Sequence, residues 1–294
     1  DGRVIYAGPQ NDMRLIDTSG AGSVQGQGGR DGLDRNYGSY AMYDIGKLMV
    51  TGGAGSTNTA TLVNMASNAL TASATSSMKY GRRQHNATVL ADGSVLVTGG
   101  LSSGAGLVDL NAGVYAAEVW NPATGAWREL ASAAVTRQYH SVAMLLPDGR
   151  VYTGGGGICG VCQQVGYLRK DAEIFSPPYL FNKNGSGQLA TLPTISSAPA
   201  TVGYGQGFNI VTAEAGTIAK AALIRLGAPT HGQDQDQRYI PLSYSVNGGS
   251  LSATSPANAN IAPPGYYMLF ITDSAGVPSV SKMVQVANVA PPVG

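Results

Sequence analysis

The chain has 294 residues, 18 Lys and Arg against 17 Asp and Glu, and a formal net charge of +1. That balance offers no basic field to a nucleic acid, and no run of about 20 apolar residues is present to form a membrane span. Charged residues make up 12% of the chain, 41 positions are glycine and 43% are apolar, a profile that excludes disorder and, with many Ser, Thr and Tyr and few Lys, points to a secreted protein.

Read in chain order, the sequence repeats itself. Asp1-Gly2-Arg3-Val4-Ile5-Tyr6-Ala7-Gly8 is followed by Gly46-Lys47-Leu48-Met49-Val50-Thr51-Gly52-Gly53. Asp92-Gly93-Ser94-Val95-Leu96-Val97-Thr98-Gly99-Gly100 and Asp148-Gly149-Arg150-Val151-Tyr152-Thr153-Gly154-Gly155 continue the series. The glycine pairs starting at 52, 99 and 154 are 47 and 55 residues apart, and Gly8 precedes Gly53 by 45. Each unit offers a turn, a short apolar strand and a glycine bend. A second element recurs as well: Ala117-Glu118-Val119-Trp120-Asn121-Pro122 is echoed 55 residues on by Ala172-Glu173-Ile174-Phe175-Ser176-Pro177. Trp127 faces Trp120 across the turn Pro122-Ala123-Thr124-Gly125. Four short strands in about 50 residues, with a glycine bend and paired aromatics, describe a kelch-type β-propeller blade.

Roughly three and a half such blades fit in this chain. A propeller is a closed ring of roughly 4–8 blades, because an open arc leaves strand edges unpaired. The expectation is therefore that N-terminal blades are missing from this sequence, or that another chain completes the ring. Past Asn182 the pattern changes to a loop, Asn184-Gly185-Ser186-Gly187, and then to alternating strands at 208–211, 222–226, 238–244, 266–271 and 283–286. Their spacing suits an immunoglobulin-like β-sandwich. The fold class read from the sequence is all-β: propeller blades over 1–183, then an immunoglobulin-like domain over 184–294.

Only three histidines occur. Arg137-Gln138-Tyr139-His140-Ser141-Val142 lines up with Arg82-Arg83-Gln84-His85-Asn86-Ala87 of the preceding repeat, which sets His140 opposite His85 and reads His85 as a structural core residue. The repeat does not explain Tyr139 in place of Gln84. Adjacent residues on a strand face opposite sides, whereas a strand start or bulge presents both to one site. His231 lies in the polar loop 227–238, where composition reads it as a solvated side chain. Cys159-Gly160-Val161-Cys162 has no second cysteine pair for zinc and no βαβ setting for a redox motif, so a small-loop disulfide is the reading favoured for a secreted β protein. Of two glycosylation sequons, Asn86 falls on a strand expected to be buried and Asn184 on an exposed linker.

These residues resemble the copper radical oxidases, the family of galactose oxidase and the glyoxal oxidases. The resemblance is carried by Tyr139-His140-Ser141, by 145–151, by Gly154-Gly155-Gly156-Gly157-Ile158-Cys159-Gly160-Val161-Cys162, by Thr230-His231 with 236–242, and by 264–270 with 274–279. It implies a seven-bladed propeller and a C-terminal domain whose loop delivers a histidine to the metal. His231 would then be a copper ligand with His140, Tyr139 would be the axial ligand and catalytic base, and Cys159 and Cys162 would form a disulfide. The implied reaction oxidises primary alcohols or aldehydes with O2, giving H2O2. The family's tyrosyl radical needs a cysteine–tyrosine thioether from upstream residues, because both cysteines here are in the 159–162 pair. Arg30 falls near where the family uses a substrate-contacting arginine. The alternative is a non-catalytic kelch propeller used for carbohydrate binding, adhesion or assembly.

Overall fold

The computed structural model of the chain describes residues 2–65, 69–104 and 106–288. Among these, four antiparallel meanders come first, two with three strands and two with four. The first comprises β1 (Val4–Tyr6), β2 (Asp12–Asp17) and β3 (Ser23–Gly29). The second comprises β4 (Ser39–Asp44), β5 (Lys47–Thr51), β6 (Ala60–Asn64) and β7 (Thr71–Ala74). The third comprises β8 (Arg83–Val89), β9 (Val95–Leu101), β10 (Ala116–Asn121) and β11 (Ala126–Ser132). The fourth comprises β12 (Ser141–Leu145), β13 (Val151–Gly155) and β14 (Ala172–Phe175), with a one-turn helix α1 (Gly160–Gln164) before β14. The repeated strands of the sequence are β1, β5, β9 and β13.

Strand β4 packs beside β8, and β8 beside β12. Every residue of β8 is buried, as expected of a strand covered on both faces. Trp120 and Trp127 pair across β10 and β11, and their indole N–H groups donate to Thr75 Oγ1 and to the Ser76 carbonyl of the preceding sheet. A buried arginine repeats at each junction. Arg35, Arg82 and Arg137 donate to the carbonyls of the bend glycines Gly52, Gly99 and Gly155 and pair with Asp31, Glu118 and Asp171. Charges this buried persist because each is paired and hydrogen-bonded.

The sandwich follows. It contains β15 (Thr201–Val202), β16 (Gly207–Val211), β17 (Ile218–Arg225), β18 (Pro229–Thr230), β19 (Gln233–Asp234) and β20 (Tyr239–Pro241). The remaining strands are β21 (Tyr244–Asn247), β22 (Ser250–Thr254), β23 (Gly265–Asp273) and β24 (Lys282–Val286). One sheet runs β15-β24-β23-β17-β20, the facing one β16-β22-β21, and β18-β19 is a separate hairpin. Alternation divides β17 and β23 between two cores. Leu223, Leu269 and Ile271 fill the sandwich interior, while Ala222, Ile224, Met268 and Phe270 join the cluster that contains Ala87, Val95 and Trp120 of the blades. Burying each large apolar side chain there contributes roughly 1.5–3 kcal/mol, which fixes the sandwich against the blades. Residues of β1 and β4 together with Gln233, Arg238 and Tyr239 line a cleft of about 1250 Å³.

Candidate metal centre

Tyr139 and His140 occupy the middle of a turn immediately before β12, closed by the Ser141 N–H donating to the Gln138 carbonyl at 2.9 Å. His140 takes φ +65°, a left-handed conformation that histidine adopts more readily than most residues. The turn brings adjacent side chains together, and the two rings stack with centroids 3.8 Å apart. The sequence alignment of this repeat needs a correction. Strand pairing sets Ser141 opposite Gly155 and His85 opposite Gly99, so Ser141, not His140, is the counterpart of His85. In conformation His140 instead matches Gln84 at φ +58°. The stretch between the buried arginine and this left-handed residue is one residue longer than in the preceding repeat.

Gly157 holds both Tyr139 and His140 through its main chain. Its carbonyl lies 2.8 Å from His140 Nδ1, and its N–H donates to the Tyr139 carbonyl at 2.8 Å. A carbonyl only accepts, so Nδ1 carries a hydrogen, and the tautomer this selects has its lone pair at Nε2. The segment after Gly157 is tied back by the Cys159–Cys162 disulfide, as expected. Cys162 is fully buried with Val108 and Tyr167, and Tyr139 and Cys159 pack against them.

His231 arrives from the sandwich. His231 and Gly232 are the two turn residues of the β18–β19 hairpin, both with positive φ, +55° and +75°, as the favoured two-residue hairpin requires. A Cβ on Gly232 would lie 2.6 Å from the His85 carbonyl, so only glycine lets the tip approach β8 this closely. The Asp234 carboxylate accepts N–H groups from Ala228, Asp236 and Gln237 at 2.9, 3.1 and 3.0 Å and fixes the hairpin's base. Two further contacts pin it to the inner strands. Ser39 Oγ donates to the Gly232 carbonyl at 2.6 Å, and Gln237 accepts from Val89 N–H and donates to the Ala87 carbonyl, both at 2.7 Å.

The hairpin therefore sets an exposed His231 against His140, with Nε2 facing Nε2 at 2.9 Å and Tyr139 5.6 Å from the His231 ring between centroids. Composition alone had read His231 as a solvated loop residue. Its Nδ1 meets Thr230 Oγ1 at 2.7 Å, a hydroxyl that donates or accepts. The facing nitrogens are satisfied in one of two ways: His231 turns an Nε2–H toward His140, or a cation sits against both lone pairs. Two nitrogens about 2.0–2.1 Å from one metal and at right angles to each other are about 2.9 Å apart, so the spacing fits a metal held in cis. Two imidazoles with a phenol oxygen suit Cu(II). Among the described residues no cluster of three His, Cys, Asp or Glu side chains offers another metal site.

The other residues singled out in the sequence lie elsewhere. His85 is fully buried, with Nε2 2.9 Å from Thr51 Oγ1, and is the core residue expected. Asn86 is buried and donates to Ser141 Oγ, whereas Asn184 is exposed. Arg30 is buried and donates its guanidinium to the carbonyls of Ala7, Gln10 and Leu33. The sequence reading missed Gly157, Asp234 and Gln237. Gly157 acts through its main chain, and the other two act on partners far away in sequence.

Comparison with known proteins bears on this geometry. A sequence model of the galactose oxidase-like early set domain matches residues 192–286. A galactose oxidase of Gibberella zeae is 38% identical over 304 aligned residues, covering 98% of this chain and 44% of that protein. An aldehyde oxidase of Vitis pseudoreticulata is 30% identical, covering 71% of this chain and 42% of that protein. The solved structure of a fungal alcohol oxidase in complex with copper superposes with a TM-score of 0.91 at 34% identity, covering 97% of this chain and 61% of that one. The chain thus spans less than half the length of these two curated relatives.

Proposed function

Because this chain is homologous to the copper radical oxidases galactose oxidase and glyoxal oxidase over most of its length, we propose that it supplies the histidine–tyrosine part of their type of copper site. The observation that carries the reading is the 2.9 Å approach of His140 Nε2 to His231 Nε2 beside the Tyr139 ring. Tyr139, His140 and His231 would hold one copper ion, which when bound supplies Lewis acidity and one-electron redox chemistry. The overall reaction is RCH2OH + O2 → RCHO + H2O2: the alcohol gives up two electrons and two protons, and dioxygen takes both pairs. An aldehyde, as its hydrate, gives the acid by the same balance.

The chain's own groups have distinct tasks in this reading. His140 donates Nδ1–H to the Gly157 carbonyl, which fixes the tautomer that leaves Nε2 to bind. His231 comes from an exposed turn and leaves the site open to a substrate of the alcohol, aldehyde or carbohydrate class. Tyr139 presents its phenol oxygen as the base that receives the substrate's hydroxyl proton. The second redox partner, a tyrosyl radical, needs a cysteine, and both cysteines here are joined to each other. That partner would come from further propeller blades of a longer protein, or from another chain, seated along β1 and the cleft beside it. The disulfide and low charge fit a secreted protein.

The test is to load the purified full-length protein with copper, supply primary alcohols and aldehydes, and measure peroxide with a peroxidase-coupled dye. Peroxide from a copper-retaining protein supports the proposal. Absence of both peroxide and retained copper overturns it.

A further inference from the structure

We infer that Tyr167 is a positioning residue for the His140 imidazole, acting through the main chain of Gly156 and Gly157 and through the disulfide loop. The inference deepens the proposed function and rests on it where it concerns copper. Tyr167 does not approach the facing nitrogens; its influence passes through main-chain groups.

Three contacts build the linkage. The phenol oxygen of Tyr167, 1% exposed, accepts the Gln138 N–H at 2.5 Å, at the residue where the Tyr139–His140 turn begins. That oxygen and the Tyr167 carbonyl occupy the places that Cβ atoms on Gly156 and Gly157 would take, so the tyrosine packs on two bare peptide units at van der Waals range. Its own N–H donates to the Cys162 carbonyl at 2.8 Å, and the next turn returns through Arg169 N–H to the Gly156 carbonyl at 2.9 Å. The Cys159–Cys162 crosslink closes the same loop. Burial pushes the Tyr167 phenol upward from its ordinary range, so it stays a neutral acceptor.

The consequence falls on one atom. Gly157's carbonyl accepts His140 Nδ1–H, and that bond decides which ring nitrogen is left with a lone pair. Outer hydrogen-bond partners of this kind orient metal-binding imidazoles, and their loss typically weakens metal binding about 10–100-fold. Tyr167 stands one step further out, against both ends of the Gly157–His140 linkage: it accepts from the turn that carries His140 and packs on the glycine whose carbonyl accepts the imidazole's Nδ1–H.

The experiment compares Y167F with Y179F in the full protein. Tyr179 is a buried phenol that donates to the Gly149 carbonyl, so its variant loses a hydroxyl of equal size away from the imidazole pair. Three quantities are read: amide exchange at Gln138 and Gly157 in metal-free protein, the Cu(II) dissociation constant, and the Cu(II) electron paramagnetic resonance spectrum. Y167F is expected to speed exchange at both amides, weaken copper about tenfold or more and alter the copper hyperfine splitting, while Y179F changes none of these. Wild-type exchange in Y167F, or wild-type copper affinity and spectrum despite faster exchange, overturns the inference. If even the wild-type protein binds no copper, the proposed function fails, and amide exchange in metal-free Y167F still decides the role of Tyr167. Should Y167F not fold, reducing the disulfide in folded metal-free protein loosens the same loop, and unchanged exchange at Gly157 then counts against the inference.

Discussion

His140 and His231 stand 91 positions apart in sequence, yet their Nε2 atoms are 2.9 Å apart. One belongs to a turn at the start of a blade strand and the other to a hairpin tip of the sandwich. The meeting depends on backbone conformations that most side chains avoid, since both residues have positive φ. Non-glycine residues in this region cost roughly 1–2 kcal/mol each, and such strain gathers where function holds it in place.

That strain is measurable. H140G and H140A both remove the imidazole, but only glycine is at ease at φ +65°. Metal-free H140G should be more stable than H140A by about 1 kcal/mol in chemical denaturation, with both variants binding copper more weakly than the wild type. Equal stability would mean that the turn relaxes in the alanine variant.

Gln237 should matter to stability and to the site together. Replacing it with alanine leaves the Val89 N–H and the Ala87 carbonyl buried without their partner, at a cost of about 1–3 kcal/mol. It also releases the hairpin that carries His231. Denaturant unfolding of Q237A should show the loss, and a copper titration should show weaker binding. Wild-type values in both would contradict the anchoring role.

His85 predicts a pH dependence separate from the site. Complete burial, then the Arg82 and Arg35 charges, hold its imidazole well below the ordinary value of 6.5. The folded protein keeps this ring neutral while the unfolded chain protonates it below pH 6.5. The unfolded state therefore binds more protons as pH falls, and stability is full above that value and declines beneath it until the folded ring protonates too. The slope is at most about 1.4 kcal/mol per pH unit. Urea titrations between pH 7 and 5 should show this decline in the wild type and a shallower one in H85Q.

Much of the fold was legible because it repeats. An apolar strand and glycine bend recur at β5, β9 and β13, with an Asp-Gly turn ahead of β9 and β13, and the Trp120–Trp127 pair marks a hairpin that the strands reproduce. The alternation in 218–225 and 265–273 was legible as sandwich strands, although not that their second face packs on the blades. The site was legible in its residues and not in its construction. Equal numbers of letters between arginine and histidine set His140 opposite His85, whereas the extra residue appears only in strand register. His231 reads as loop from composition because its neighbours, Ser39, His85 and His140, are drawn from three different sheets. Gly157 acts through a carbonyl, which every residue has and no sequence pattern marks.

In the proposed site, two imidazoles brought from separate elements hold one copper beside Tyr139. This arrangement is tested most directly by electron paramagnetic resonance of the Cu(II)-loaded protein, counting nitrogen couplings alongside metal content. The wild type should hold one copper per chain with two coupled nitrogens, H231A should show one coupled nitrogen and weaker binding, and H140A/H231A should retain no copper. Copper bound with equal affinity and an unchanged spectrum in the double variant would contradict this arrangement.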